Sequence, residues 1–166
     1  MFVGRKKELD ALNSRYTSNR KEFGVLYGRR RIGKSSILNE FLKDKNGLLF
    51  QAKQDNSYGN LKSFSYEVDH LLNLPDTFVF ASWQHAFKSI QEYAKNERFV
   101  LVIDEYPYIV SQDTSFSSVL QEFIDHASDN MMVILSGSDI GFLQKEIQNH
   151  ASPLYKRRTF EMEIKK

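Results

Sequence analysis

The run Phe23-Gly24-Val25-Leu26-Tyr27, the segment Gly28-Arg29-Arg30-Arg31-Ile32-Gly33-Lys34-Ser35 and the stretch Ser36-Ile37-Leu38-Asn39-Glu40-Phe41-Leu42 constrain this chain more than any other part of it. The short apolar run reads as a buried strand, and the apolar residues of the third stretch recur at helical spacing. Between them lies G-x-x-x-x-G-K-S, a loop whose backbone N–H groups can wrap a row of phosphates. Gly28 and Gly33 permit backbone conformations and close approaches that a Cβ would block. In this pattern Lys34 reaches the β- and γ-phosphates and the Ser35 hydroxyl ligates Mg2+, while the following helix aims its first N–H groups at the same anion. The expected nucleotide-binding segment is Gly28, Arg29, Arg30, Arg31, Ile32, Gly33, Lys34, Ser35 and Ser36. The three arginines occupy positions that the pattern leaves free, and phosphate, solvent or a partner are all open to them.

A phosphate loop needs a partner strand that carries the metal's acid. Phe99-Val100-Leu101-Val102-Ile103 is a continuous apolar run ending in Asp104 and Glu105, a Walker B pattern about seventy residues after the loop. Asp104 is expected in the Mg2+ shell, with Glu105 polarising the attacking water. Acids also end many strands simply as solvated turn residues. The next apolar run, Met131 to Leu135, leads into Ser136-Gly137-Ser138. Here two hydroxyls stand where such sheets place a sensor of the γ-phosphate, and Ser136 joins Glu105 and Lys34 as a candidate catalytic residue; Ser138 and Asp139 are equally suited to capping the helix that starts there, so that one serine senses while the other caps, and which does which is left open. Gly137-Ser138-Asp139-Ile140-Gly141 is not the G-x-S-x-G elbow of serine hydrolases. His70, His85, His126 and His150 have no metal-ligand spacing.

At 166 residues, 41% of them hydrophobic, the chain is long enough for one domain with a substantial core. Its net charge of +2 does not announce a nucleic-acid partner. It has no cysteine, and no apolar run approaches the ~18 residues needed to span a bilayer, so a soluble cytoplasmic protein without disulfides is expected. Hydrophobic spacing predicts helices at 8–16, 34–43, 57–73, 82–95, 116–128 and 139–149. Strands are predicted at 23–27, 47–52, 99–103, 131–135 and 159–164. Such alternation implies a parallel sheet sandwiched by helices, with right-handed crossovers.

With these parts in place the chain resembles the archaeal-type P-loop ATPase domains, an AAA-like group of the STAND class. The likeness rests on Phe2-Val3-Gly4-Arg5 with Glu8-Leu9, GRRRIGKS at 28–35, the helix of Trp83, IDEYPYI at 103–109, LSGS at 135–138 and SPLYKRRT at 152–159. It implies a three-layer α/β/α sandwich with a five-stranded, mostly parallel sheet in the order 5-1-4-3-2, and ATP and Mg2+ as ligands. It further implies that Val3, Gly4 and Arg5 hold part of the adenine, and that Arg157 or Arg158 lies near the nucleotide or at an interdomain surface. Members of such a family continue into a helical lid and a C-terminal effector domain, so this chain is expected to be the ATPase core of a longer switch protein. The rival expectations are a nucleotide-sensing interaction module with little hydrolysis, and a DNA-associated ATPase. Self-association or a protein partner is also expected.

Overall fold

The computed structural model describes residues 4–75 and 78–166. In chain order its elements are α1 (Lys6–Tyr16), β1 (Glu22–Tyr27), α2 (Lys34–Leu42), β2 (Gly47–Gln51), α3 (Ser57–Leu72) and α4 (Trp83–Tyr93), followed by β3 (Phe99–Asp104), α5 (Pro107–Gln112), α6 (Phe116–His126), β4 (Met131–Gly137), α7 (Ile140–Gln148) and β5 (Phe160–Glu163). The sheet runs β2-β3-β4-β1-β5, the expected order read from the other edge. All four strand pairings are parallel. Every C-terminal strand end therefore lies on one edge of the sheet, where the crevices of open α/β folds form.

Every residue of β1, β3 and β4 is buried, which explains why these strands read as unbroken apolar runs instead of alternating ones. The period of two survives in which face each residue joins. Leu101 and Ile103 pack with α3–α7, whereas Val100 and Val102 pack with Leu12 of α1 and Ile37 and Phe41 of α2. Helix boundaries follow local chemistry. The Asn56 side chain accepts from the Gly59 N–H at the start of α3, and Ser82 accepts from the His85 N–H at the start of α4. Helix α3 stops where Asn73 turns left-handed at φ 58°, two residues before Pro75.

Two departures from expectation have plain causes. Helix α1 begins at Lys6, before the apolar pattern does, because exposed Lys6 and Asp10 form an i,i+4 ion pair that periodicity does not register. The short helix α5 falls inside a segment dominated by its acids and tyrosines, and its signal is Pro107 at the first helical position.

The helical face of α3, α4 and α6 is held by an aromatic cluster centred on Trp83. Its ring lies 4.8 Å from Phe116, 5.1 Å from Phe64, 6.0 Å from Phe87 and 6.4 Å from Phe50, measured between centroids. One truncation here removes contacts to β2, α3, α4 and α6 together. Trp83→Ala is expected to lower the free energy of unfolding by about 3–5 kcal/mol, read as a fall in the urea midpoint with the slope unchanged.

Candidate nucleotide-binding site

The loop between β1 and α2 uses its two glycines for different reasons. A Cβ at Gly28 would come within 2.8 Å of the Ile164 carbonyl oxygen and 3.1 Å of Ile32 Cγ2, so residue 28 is glycine for lack of space. Gly33 has open surroundings but sits at φ 100°, a conformation closed to most L-residues. Arg31 is also left-handed, at φ 62°. These turns curl the backbone before α2, and Lys34 lies buried in the curl with Nζ donating to the Arg29 carbonyl at 3.4 Å. Ser35 and Ser36 are exposed on the first turn of α2.

Across the sheet edge stands Asp104, the last residue of β3 and only 2% exposed. Its Oδ1 accepts from the Ser136 hydroxyl at 2.8 Å and from the Glu105 N–H at 3.0 Å, while Oδ2 accepts from the Ser35 hydroxyl at 3.3 Å. Loop, β3 and β4 thus meet at one carboxylate. Ser136, one of the two candidate γ-phosphate sensors, has no exposed surface and commits its hydroxyl to Asp104. Contact with a phosphate would require breaking that bond. Ser138 is the serine nearer the mouth, donating to Glu105 Oε2 at 3.4 Å, and the cap of α7 falls to Asp139, which accepts from the Phe142 N–H.

Glu105 holds φ at 55°, a strained setting for a residue with a long side chain. Partial burial, reinforced by the neighbouring Asp104, pushes its carboxyl above the usual carboxylate range; Lys34, Arg30 and the Ser138 hydroxyl pull the other way. The next residue secures it from behind. Tyr106 is fully buried, and its hydroxyl lies 2.6 Å from the Ser117 hydroxyl and donates to Glu146 Oε1 at 2.8 Å. Glu146 Oε2 in turn accepts from the Ser152 hydroxyl. Burial raises the Tyr106 phenol well above its ordinary range, so it stays a neutral donor. Sequence reasoning did not single out this network, and only Tyr106's place beside Glu105 hinted at it.

On the other side of the loop is a cleft of about 600 Å³ lined by Arg5, Arg29, Arg30, Arg31, Ile140 and Ile164, among others. Arg5 ties its rim together, donating to the Ile32 carbonyl at 2.8 Å and to the Lys165 carbonyl at 2.7 Å, beside Glu8 at 3.3 Å. Gly4 adjoins it at φ 86°, and Val3 lies outside the described residues.

Arg157 and Arg158 are not here. They precede β5, whose Phe160 is in register with Gly24 near the start of β1, so they lie at the opposite end of the sheet, roughly 20 Å from the loop along a six-residue strand. Arg157 forms a two-pronged pair with Asp125, at 2.8 and 3.0 Å, and Arg158 lies 3.4 Å from Glu161. Both therefore stand away from the loop, and an interdomain surface is the expectation their position leaves open.

Among the described residues no group of three His, Cys, Asp or Glu side chains is placed to hold a metal by itself, and no helix is long and apolar enough to cross a membrane. Residues 2–166 match the family described as an ATPase domain predominantly from Archaea. The chain belongs to that family. The uncharacterized protein MJECL04 of Methanocaldococcus jannaschii is 28% identical over 167 residues, covering 99% of this chain and 36% of that protein. The uncharacterized ATP-binding protein MJ0423 of the same organism is 44% identical over 45 residues, 27% of this chain and 76% of that protein. Among solved structures, the Walker-type ATPase PABY2304 of Pyrococcus abyssi has a TM-score of 0.77 at 20% identity, over 98% of this chain and 53% of that one. The Aeropyrum pernix ORC1 protein, solved in complex with DNA, has a TM-score of 0.73 at 13% identity, over 99% of this chain and 46% of that one. At these identities the two structures establish the P-loop ATPase fold, and this ATPase domain spans about half of each.

The left-handed backbone at Glu105 is directly testable. Both Glu105→Ala and Glu105→Gly remove the carboxylate, but only glycine is at ease at φ 55°. The glycine variant is expected to be more stable than the alanine variant by about 1 kcal/mol, the reverse of their order at an ordinary position, as measured by paired urea titrations.

Proposed function

We propose that this domain binds ATP together with Mg2+, hydrolyses it, and passes the state of its nucleotide to other parts of a longer protein as a switch. The observation that carries the reading is the meeting of Lys34, Ser35, Asp104 and Glu105 at one edge of the sheet, on two segments about seventy residues apart. The nucleotide-binding segment is Gly28 to Ser36, and the cleft bordered by Arg5, with Val3 and Gly4 preceding it, takes the base and ribose.

The donor set suits magnesium. Asp104 Oδ2 and Ser35 Oγ are hard oxygens 3.3 Å apart, close to the ~3 Å between neighbouring ligands of an octahedral ion with bonds near 2.1 Å. Magnesium commonly takes one or two protein oxygens and completes its shell with water and phosphate, so the lack of a three-carboxylate cage among the described residues is in keeping with it. Asp104 and Ser35 would hold Mg2+, whose charge would offset the negative charge of the phosphates. Ser136 fixes the Asp104 carboxylate by occupying Oδ1 and leaving Oδ2 toward Ser35.

Lys34 places a buried point charge against the phosphates, and the N–H groups of the loop and of the first turn of α2 cradle them. Glu105 orients a water in line with the γ-phosphorus. The new bond forms from the water oxygen to phosphorus as the bond to the bridging oxygen breaks; ADP leaves with that electron pair, and the water's proton passes to Glu105. A carboxyl with a raised pKa is a better proton acceptor than an ordinary surface glutamate, and the causes that raise it are burial and Asp104.

Two substitutions test separate parts. Lys34→Ala is expected to remove most affinity for ATP and for ADP in calorimetric titration with Mg2+; unchanged affinity would mean that the loop is not the phosphate site. Glu105→Gln keeps the shape of the side chain and is expected to leave ATP binding within a few-fold while slowing steady-state phosphate release by about a hundredfold or more. If the Gln variant turns over at the parent rate, the domain senses nucleotide without Glu105 acting as its base.

A further inference from the structure

The three arginines of the loop are not equivalent. Arg29, Arg30 and Arg31 are all exposed, yet among the described residues only Arg30 has its guanidinium hydrogen-bonded to another side chain, Nη2 donating to the Tyr108 hydroxyl at 2.9 Å. Tyr108 belongs to α5 and packs, half-buried, against the core. It lies three positions after Glu105, and its N–H donates to the Glu105 carbonyl at 3.0 Å. Helix α5 is a firm mount, entered through buried Tyr106 and half-buried Pro107 and backed by buried Ile109 and Val110. The head of Arg30 is thus carried across from the loop to the end of β3, next to Glu105. Its charge is felt there, acting with that of Lys34 to oppose the rise in the Glu105 carboxyl's pKa.

The tether itself contributes little stability. A hydrogen bond from an exposed arginine to a neutral phenol adds of the order of 1 kcal/mol and fixes a long side chain at an entropic cost of similar size. It does set direction. One of five guanidinium N–H groups is used by Tyr108, and the rest remain for an anion. Arg30 also lines the cleft, so one side chain spans the space between the nucleotide's binding cleft and the carboxylate that activates water.

We propose that Arg30 is a catalytic residue supplying a second cation to the γ-phosphate from within the same chain, and that Tyr108 is the positioning residue that holds it there. The inference rests on the reading of Gly28–Ser35 as the phosphate site. As the bond between the γ-phosphorus and the bridging oxygen breaks and the water oxygen bonds to phosphorus, negative charge shifts over the γ-oxygens and the leaving oxygen, and a guanidinium there stabilises that redistribution. The contact exists only with the triphosphate. Discrimination between ATP and ADP is therefore its signature, whether or not turnover is fast.

The test is calorimetry of the whole chain with Mg2+ and either ADP or an ATP analogue whose β–γ bridging oxygen is replaced by NH. Arg30→Ala is expected to weaken the triphosphate analogue about 10- to 100-fold while leaving ADP within about threefold. Tyr108→Phe keeps the ring and is expected to show the same selectivity at smaller size, with phosphate release lowered more than the KM for ATP is changed. Equal effects on both nucleotides, or on neither, while Lys34→Ala still removes both, would overturn the role of Arg30 and leave the phosphate site standing. Retention of both nucleotides by Lys34→Ala would overturn the phosphate site and this inference with it.

Discussion

The architecture turns on one buried charge. Asp104 ends a strand with no exposed residue, and a carboxylate in such a place is costly unless donors surround it. Its donors come from three directions: the hydroxyl of Ser136 on the neighbouring strand, the N–H of Glu105 that follows it, and the hydroxyl of Ser35 on the first turn of α2. Satisfying that carboxylate fixes β3 against β4 and draws the loop toward both. The same need that stabilises the sheet edge assembles the site, so few changes here affect folding alone or chemistry alone.

Around this point the molecule divides its labour by rigidity. Behind Glu105 the Tyr106, Ser117, Glu146 and Ser152 network ties β3, α6, α7 and the turn after α7 into one polar seam, with each hydroxyl engaged. A network so fully satisfied favours one arrangement over its alternatives. In front of Glu105 the groups are looser: Ser138 at 3.4 Å, exposed arginines, and an open cleft. Strain in the Glu105 backbone is sustained by the firm side and displayed on the adaptable one.

How much was legible in the sequence depended on how far apart the interacting residues stand. The loop and the two acids could be read because each is a contiguous pattern, and the buried strands because a parallel sheet covered on both faces leaves no polar gaps. The strand order came from family likeness, since periodicity carries no pairing information. Ser136 and Ser138 were not distinguishable from the sequence, and only the fold separates them: residue 136 is fully buried in the sheet, while 138 has left it to reach Glu105. For Arg157 and Arg158 the family likeness left two places open, and only the register of β5 against β1 shows that they stand at the end of the sheet away from the loop. The pairing of Arg30 with Tyr108 and the anchoring of Tyr106 on Glu146 span 78 and 40 positions, and no local pattern signals either.

The strand order also governs when the site comes into being during synthesis. Strand β1 leads into the loop, yet its two sheet neighbours are β4 and β5, the last strands of this chain to be made. A ribosome adding roughly 5–20 residues per second delivers β4 something like 5–20 s after β1. Until then the nascent chain carries an apolar strand with neither edge paired, the state most exposed to capture by other chains. The early partners available to it are α1 and α2, which pack on the same side of the finished sheet, so the N-terminal third must wait as a helix-covered ribbon until β4 arrives to close the middle of the sheet.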